Sequence, residues 1–271
     1  MEVPVLKLDG VSKRYGDDLT GTLAVCDLSF EIGAGEIVTI VGPSGCGKTT
    51  ILKLMAGLLA PSSGSIAMDG AAVTGPPEQI ALVFQDYSAS LYPWMKVGDN
   101  VDFPLRRKKL PKAERRELVT QALTSVGLGD FVDHYPWQLS GGMQQRVAIA
   151  RGLAYQPQML LMDEPFGALD AQTRADLEDL VMNVRDEFDV TVVFVTHDID
   201  ESVYLADRVL VMGPRPTFVD SELTVDLPRP RDQITTKGTP EFARLRAEVY
   251  SNIKASSQLM ATGSISTAER S

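Results

Sequence analysis

The sequence predicts an α/β fold with a parallel sheet at its core. Three short apolar runs, at residues 37–41, 159–162 and 190–195, are rich in Val, Ile, Leu and Met, and each leads into polar or glycine-rich residues. Continuous apolar runs of this length are typical of strands covered on both faces of a parallel sheet. Ligands of open α/β sheets lie beyond the carboxyl ends of the strands, so the residues that follow these runs are candidates for a binding site.

The first run leads into the loop GPSGCGKTT and then into a helical pattern, ILKLMAGLL. The spacing of its glycines, lysine and threonine matches the P-loop, in which backbone N–H groups point at phosphate oxygens. In that motif Lys48 reaches the outer phosphates and Thr49 binds Mg²⁺. The alternative is a glycine turn before an exposed lysine, and the flanking strand and helix argue against it. The predicted nucleotide-binding residues of this loop are Gly42, Pro43, Ser44, Gly45, Cys46, Gly47, Lys48, Thr49 and Thr50.

The second run, QMLLMDEP, ends in two acidic residues. Asp163 is placed to hold Mg²⁺ through its water shell, and Glu164 is placed to orient or deprotonate the water that attacks a γ-phosphate. A strand followed by a solvated turn would give the same pattern. The P-loop makes that alternative the minor one, because it supplies the phosphate that these groups would act on.

The third run, VTVVFVTHD, ends in His197. A histidine at the carboxyl end of a strand can hydrogen-bond a γ-phosphate or the attacking water. The alternative is a histidine whose ring bonds a neighbouring carbonyl. Because the ends of all three strands are expected to converge on one crevice, we predict His197 as a catalytic residue together with Glu164.

A second anion-binding pattern occurs at LSGGMQQR. Ser140, Gly141 and Gly142 offer a hydroxyl, two approachable backbone N–H groups and the dipole of the helix that follows. Ser140 could equally be the N-cap of that helix. One nucleotide does not need two such cradles within one chain, so the pattern requires a further explanation.

Together these elements, from residue 1 to about residue 212, resemble the ATP-binding cassette (ABC) ATPases. The resemblance implies a P-loop NTPase (RecA-like) core with an antiparallel β subdomain and an inserted α-helical subdomain. It also implies that Tyr15 stacks on adenine, that Gln85 senses Mg²⁺ and γ-phosphate as a metal-binding and catalytic residue, and that Asp170 belongs to a nucleotide-site loop. Cassettes of this type pair head to tail, so Ser140, Gly141 and Gly142 would bind the nucleotide held by the partner's P-loop.

The patterning also predicts how the chain is divided. Short alternating runs with turn signals indicate an antiparallel β layer, and KAERRELVTQALTSVGL indicates a helical subdomain. A polar, small-residue-rich end indicates a disordered tail. The predicted parts are an ABC ATPase domain over 1–254, with the β layer at 4–40 and 62–85, the helical subdomain at about 86–155 and a C-terminal extension at 213–254, followed by the tail at 255–271.

Composition excludes several classes of protein. The formal net charge of −10 argues against broad nucleic-acid binding, because phosphate backbones attract basic surfaces. Cys26 and Cys46 form no disulfide framework, which fits a reducing compartment. The chain has no apolar stretch of membrane-spanning length and no signal pattern at its start, so we expect a soluble, cytoplasmic protein.

The resemblance extends to one branch of the family. LYPWMKVGDNV and DLPRPRD resemble the nitrate, sulfonate and taurine importers, so we expect an ATPase subunit that drives uptake of a small solute. An exporter subunit and a non-transport ABC ATPase remain alternatives. The expected partners are a second cassette, transmembrane permease subunits and an extracytoplasmic solute-binding protein, with no nucleic acid and a peripheral position on the cytoplasmic face of the membrane. Residues 85–97 are predicted to receive a helix of the permease, unless Trp94 packs in the core.

Overall fold

The computed structural model describes residues 4–17 and 21–261. Contacts group the chain into two compact units, one formed by Met1–Pro77 with Phe194–Ser271 and the other by Glu78–Val193. The P-loop and His197 therefore belong to the first unit. Gln85, Ser140 and Glu164 belong to the second.

The helices and strands follow one another in an alternating order. In chain order they are β1 (Leu6–Tyr15), β2 (Thr22–Ile32), β3 (Ile37–Val41), α1 (Lys48–Met55), β4 (Ser63–Met68), β5 (Ala71–Ala72), β6 (Ile80–Val83), α2 (Tyr87–Ser90), α3 (Val97–Asp102), α4 (Lys112–Ser125), α5 (Gly141–Ala154), β7 (Met159–Asp163), α6 (Ala171–Phe188), β8 (Thr191–Val195), α7 (Ile199–Leu205), β9 (Arg208–Met212), β10 (Val219–Thr224) and α8 (Pro240–Ala261). Three short 3-10 helices lie at Pro104–Lys108, Gly129–Phe131 and Pro136–Gln138.

The first unit contains an antiparallel sheet with the strand order β2-β1-β4-β5. Alternate residues of β1 are buried at its start, as expected for a strand with one face on the core. The predicted β layer is therefore present, but it ends at Ala72. The prediction was wrong for 37–40, which belong to β3 and pair in parallel with β9, and for 80–83, because β6 pairs in parallel with β7 in the second unit.

The strand that leads into the P-loop is buried along its whole length. All five residues of β3 are buried, and β3 pairs in parallel with β9, which pairs in antiparallel with β10. Helix α8 packs on β9, β10 and α7. It buries Phe242, Leu245 and Val249, whose spacing places them on one helix face.

Helix α8 also alters the predicted C-terminal boundary. It continues to Ala261, so the boundary predicted between residues 254 and 255 lies inside a helix. The remainder of the predicted tail, residues 262–271, lies outside the described residues.

In the second unit β7 lies between β6 and β8. All five residues of β7 are buried, which explains its continuous apolar sequence. Helices α2 to α5 and the three 3-10 helices lie between β6 and β7, in the stretch for which a helical subdomain was predicted. Helix α6 connects β7 to β8, and β8 ends in the first unit.

Candidate active site

The P-loop connects β3 to α1, as the sequence predicts. Two of its glycines are required by close packing. A Cβ atom on Gly42 would lie 2.9 Å from both the Cβ atom and the carbonyl oxygen of Met212. Gly47 has a φ of +129°, and a Cβ there would lie 2.8 Å from Oγ1 of Thr217. Larger residues at either position would displace the loop from Met212, the last residue of β9, or from Thr217.

Thr217 is a further residue of the site, and no sequence motif pointed to it. It is fully buried, its hydroxyl donates to the carbonyl of Cys46, and its backbone bonds Ala24 and Cys26 of β2 at 2.9 Å each. Thr217 therefore connects the P-loop to β2. No motif in VMGPRPTF points to this contact, because it joins residues far apart in the chain.

Lys48 is held over the P-loop by the loop's own backbone. Its Nζ atom donates to the carbonyl of Gly42 at 3.0 Å and to that of Pro43 at 3.4 Å. The residue is only 6% exposed, which excludes the alternative of an exposed lysine after a glycine turn. The next two residues, Thr49 and Thr50, lie in the first turn of α1, and Thr49 is exposed.

Tyr15 lies beside the same helix turn. Its hydroxyl is 3.3 Å from Oγ1 of Thr50, and the residue is 43% exposed. The ammonium of Lys13 lies 5.7 Å from the centroid of the Tyr15 ring. The structure thus places an accessible aromatic ring close to the P-loop helix, which suits a base that stacks on one ring face.

His197 follows β8 and is exposed, in contrast to the buried residues of that strand. The preceding residue, Thr196, donates its backbone N–H to the carbonyl of Ile40 at 3.1 Å. The end of β8 therefore lies beside the end of β3, where the P-loop begins. The prediction that both strand ends lie at one edge is confirmed within this unit.

In the second unit the parallel register of β6 and β7 brings two candidate residues together. Val83 pairs with Met162, and beyond this pair Nε2 of Gln85 lies 3.4 Å from Oε2 of Glu164. Glu164 has a φ of +42°, a left-handed backbone that is uncommon for a glutamate. Asp163 is the last residue of β7 and is buried.

Ser140 is the N-cap of α5, and its Oγ accepts from the N–H of Met143 at 3.3 Å. The capping role considered from the sequence is thus present, and the serine remains exposed. Gly142 is buried, and a Cβ there would lie 2.4 Å from Cγ2 of Thr173. Gly142 is therefore required for the close approach of α5 to α6, apart from any contact with a nucleotide.

Asp170 is the N-cap of α6. Its two carboxylate oxygens accept from the N–H of Thr173 at 3.0 Å and from the hydroxyl of Thr173 at 2.7 Å. These hydrogen bonds lower the pKa of Asp170, so the residue is ionised at neutral pH. The carboxylate stabilises a helix start, which is a structural role that the sequence analysis did not include.

The loop before α1 fits a phosphate chain. Gly45 has a φ of +73°, and a Cβ on it would have no atom within 4 Å. The space beside the backbone of Gly45 is therefore open to a ligand. Lys48 supplies a cation and α1 supplies a helix N-terminus. Within residues 4–17 and 21–261 no group of three or more His, Cys, Asp and Glu could hold a metal ion. The hydroxyl of Thr49, at the start of α1, is an oxygen ligand of the kind that Mg²⁺ accepts.

The sequence as a whole matches a known family over the region that contains these motifs. The family described as ABC transporter matches residues 25–167. The chain belongs to the ABC transporter family.

Relatives of this ABC protein include subunits of named transporters. NasD, the nitrate transport protein of Klebsiella oxytoca, is 42% identical over 251 residues, which cover 91% of this chain and 95% of NasD. CmpC, the bicarbonate transport ATP-binding protein of Synechococcus elongatus, is 45% identical over 230 residues, which cover 84% of this chain and 34% of CmpC. The predicted resemblance to the importer branch is confirmed by these relatives.

A solved ABC structure confirms the fold and the activity. The dimeric cassette MJ0796, bound to ADP and Pi in a post-hydrolysis state, has a TM-score of 0.70 and 33% identity, and the match covers 81% of this chain and 98% of that one. The ABC protein described here is an ATP-binding subunit with ATPase activity. Among the helices of its described residues, none has both the length and the apolar character needed to cross a membrane.

Proposed function

We propose that this ABC protein hydrolyses Mg-ATP to drive uptake of a small solute with an oxyanion group through separate membrane subunits. The similarity to NasD carries this proposal, because it extends over 91% of the chain and 95% of NasD. NasD is named for nitrate transport and CmpC for bicarbonate transport. Both named solutes are small oxyanions, and the sulfonate and taurine solutes expected from the sequence share that chemistry.

The first unit supplies the groups that bind ATP in this proposal. The backbone of Gly42 to Gly47 and the ammonium of Lys48 bind the phosphates, and the Tyr15 ring stacks on adenine. The hydroxyl of Thr49 holds Mg²⁺, whose charge would offset that of the phosphates. His197 hydrogen-bonds the γ-phosphate or the attacking water. The contacts of Lys48 with the loop carbonyls support this assignment, because they hold its ammonium against the loop proposed to bind the phosphates.

The second unit supplies the groups that activate water. Glu164 accepts a proton from the attacking water, and Gln85 orients the Glu164 carboxylate and senses the γ-phosphate. Asp163 holds the water shell of Mg²⁺. The contact between Gln85 and Glu164 supports these roles, because it places a hydrogen-bond donor beside the proposed base.

Two copies of the protein, or this chain and a close homologue, are proposed to pair head to tail. Ser140, Gly141 and Gly142 of one cassette then bind the ATP held by the P-loop of the other. The exposed position of Ser140 at the start of a 14-residue helix supports this role. The dimeric form of MJ0796 is consistent with it. ATP would close the pair and hydrolysis would open it.

The membrane subunits are proposed to dock on residues 85–97, on the cytoplasmic face of the membrane. Trp94 supports this proposal, because its side chain is 72% exposed and is therefore not a core residue. The segment also contacts α5: the guanidinium of Arg151 donates to the carbonyl of Ser90 at 2.6 Å and to its hydroxyl at 3.0 Å. A partner that moves this segment would therefore move the helix that begins after Ser140.

The test is reconstitution of this chain with its membrane subunits and solute-binding protein in proteoliposomes. We expect ATP-dependent uptake of at least one of nitrate, bicarbonate, sulfonate or taurine, and no uptake with the Glu164→Gln variant. Transport of these solutes in the opposite direction would favour an exporter. ATPase activity that does not change when the membrane subunits are added would contradict a role in transport.

A further inference from the structure

The motif DLPRPRD, at residues 226–232, contacts the end of helix α7. Nη1 of Arg231 donates to the carbonyl of Tyr204 at 2.7 Å, near the C-terminal end of α7. Nη2 of Arg229 lies 2.6 Å from Oδ1 of Asp207, which follows the helix. Asp207 also accepts from the N–H of Ile37, the first residue of β3, at 2.9 Å. The motif therefore holds the segment that joins α7 to the central strands of this unit.

Two further cations of the C-terminal extension contact α7. The ammonium of Lys237 lies 4.5 Å from the centroid of the buried Tyr204 ring, and Nε of Arg246 lies 2.6 Å from Oδ1 of Asp200. Both side chains of the Arg246–Asp200 pair are exposed, and exposed ion pairs contribute little to the stability of a protein. Arg231 is different, because it is only 8% exposed and bonds a backbone carbonyl.

Helix α7 needs such contacts to keep its position. It has seven residues, and helices of this length are unstable without tertiary packing. The last carbonyls of a helix have no partner within the helix and carry the negative end of its dipole. The Arg231 guanidinium satisfies one of them with a charge-assisted hydrogen bond.

The other end of α7 is bonded to the turn that contains His197. The Thr196 hydroxyl donates to Oε2 of Glu201 at 2.5 Å, and Oγ1 of Thr196 accepts from the N–H of Asp198 at 2.9 Å. Glu201 is buried in α7. Oδ1 of Asp198 accepts from the N–H of Asp200 at 2.8 Å and caps the helix. Residues on both sides of His197 are thus tied to the first turn of α7.

We propose that Arg231 is a positioning residue for ATP hydrolysis, which acts through α7 on His197. The proposal rests on the proposed role of His197 in turnover. Arg231 holds the C-terminal end of the helix, and Thr196 and Asp198 transmit that position to the histidine. The motif DLPRPRD then has a function in the ATPase cycle, and the C-terminal extension is part of the catalytic apparatus.

The test compares Arg231→Met with Arg231→Lys in the full-length protein. Methionine keeps much of the length and removes the donors, whereas lysine restores one cationic donor. We expect Arg231→Met to lower kcat about tenfold, as small displacements of catalytic groups do. The Kd for ATP should not change, because the P-loop contacts are intact, and Arg231→Lys should recover part of the loss. Arg244→Met is the matched control, because Arg244 pairs with Glu241 and Glu248 on the surface of α8.

A double-mutant cycle with His197→Ala separates positioning from general destabilisation. Single-turnover rates are measured for the two single variants and for the double variant. If Arg231 acts through His197, Arg231→Met has no further effect in the His197→Ala background. The proposal would be overturned if the rate losses of the two single variants multiply in the double variant, or if kcat of Arg231→Met is unchanged.

Two other outcomes are also decisive. If Arg231→Met does not fold, Arg231→Gln takes its place in the same cycle, because it removes the charge that bonds the Tyr204 carbonyl and keeps a polar side chain. The proposal is supported if the substitute variant causes no further loss of rate in the His197→Ala background. It is overturned if the two rate losses multiply or if the substitute variant has an unchanged rate. If His197→Ala alone leaves turnover unchanged, the proposed role of His197 fails and the positioning role fails with it. A loss for His197→Ala without a loss for the positioning variant overturns only the latter.

Discussion

The side-chain amide of Gln85 lies 3.4 Å from the carboxylate of Glu164, although the two residues are 79 positions apart. Both follow adjacent parallel strands of one unit, so the strand register sets their separation. The amide can donate to the carboxylate and hold it in one orientation. If Gln85 senses the γ-phosphate as proposed, its movement toward the nucleotide would change this hydrogen bond and so affect the proposed base.

Replacement of Glu164 by glutamine should nearly abolish turnover while ATP still binds. Glutamine has the shape of glutamate but cannot accept the proton of the attacking water, and loss of general-base catalysis costs about 100-fold to 10,000-fold. Steady-state phosphate release and ATP binding measure the two effects. Glu187→Gln, the same change at an exposed position of α6, is the control. Wild-type turnover of Glu164→Gln would remove Glu164 from the role.

The same variant should accumulate an ATP-bound pair of cassettes. The pair persists because the nucleotide that closes it is no longer hydrolysed, and Ser140 is unchanged. Size-exclusion chromatography with light scattering, with and without ATP, measures the mass, with the partner cassette added if the pair is a heterodimer. A monomer under all these conditions would contradict the head-to-tail arrangement.

Lys48→Ala should strongly weaken ATP binding and abolish ATPase activity. The ammonium is buried and fixed by the loop carbonyls, so its contacts with phosphate are worth about 3 kcal/mol, or roughly a hundredfold in Kd. Lys53→Ala is the matched control, because Lys53 lies on the same helix and is exposed. Isothermal titration with ATP measures both. Equal affinities for the two variants would show that Lys48 does not bind the phosphates.

The Cys46 thiol should react slowly at neutral pH and faster as the pH rises. Burial raises the pKa of this thiol, and the charge of nearby Lys48 opposes the shift only in part, so little thiolate is present near neutrality. Maleimide labelling of a Cys26→Ser variant, followed by mass spectrometry across pH, measures this directly. ATP should protect Cys46, and Cys46→Ser should retain turnover without sensitivity to maleimide. Rapid labelling at neutral pH, or loss of turnover in Cys46→Ser, would contradict the prediction.

The sequence was sufficient to predict the site residues whose position is determined by a local pattern. The P-loop and His197 each follow a buried strand, and the Asp163–Glu164 pair lies at the end of one, as the apolar runs predicted. The contact between Gln85 and Glu164 was not predicted, because residues 62–85 were assigned to the antiparallel layer, whereas β6 pairs in parallel with β7 and ends at the same edge. Ser140 was ambiguous in the sequence, because the residues that bind an anion at a helix start also cap the helix.

Other parts of the site could not be predicted because they depend on contacts between distant segments. Thr217 bonds Cys46 across 171 positions, and Arg231 reaches Tyr204 through a loop without regular structure. Neither residue belongs to a spacing pattern, so only the packed chain reveals them. The extent of α8 was missed for a different reason: small and polar residues near its end weaken the helical signal, while Ser256 is buried and marks continued packing.

Trp94 should be required for coupling between ATP hydrolysis and solute uptake. The side chain is 72% exposed, but its segment is not loose, because buried Asn100 accepts from the N–H of Tyr92 at 2.8 Å and donates to the carbonyls of Tyr92, Met95 and Lys96 at 3.1 Å each. The structure thus presents an aromatic ring on a fixed support, as an interface anchor requires.

The test uses Trp94→Ala alone. Tyr92 packs against the ring of Phe103 at 4.8 Å between centroids, so its replacement would also disturb the unit. We expect Trp94→Ala to retain its melting temperature and ATP affinity, and to lose uptake in proteoliposomes while ATPase activity continues. Tyr250→Ala is the control, because that ring is also exposed, at 56%, but lies on α8. Normal assembly with normal uptake in Trp94→Ala would exclude the docking role, whereas a lowered melting temperature would show that the ring stabilises the unit despite its exposure.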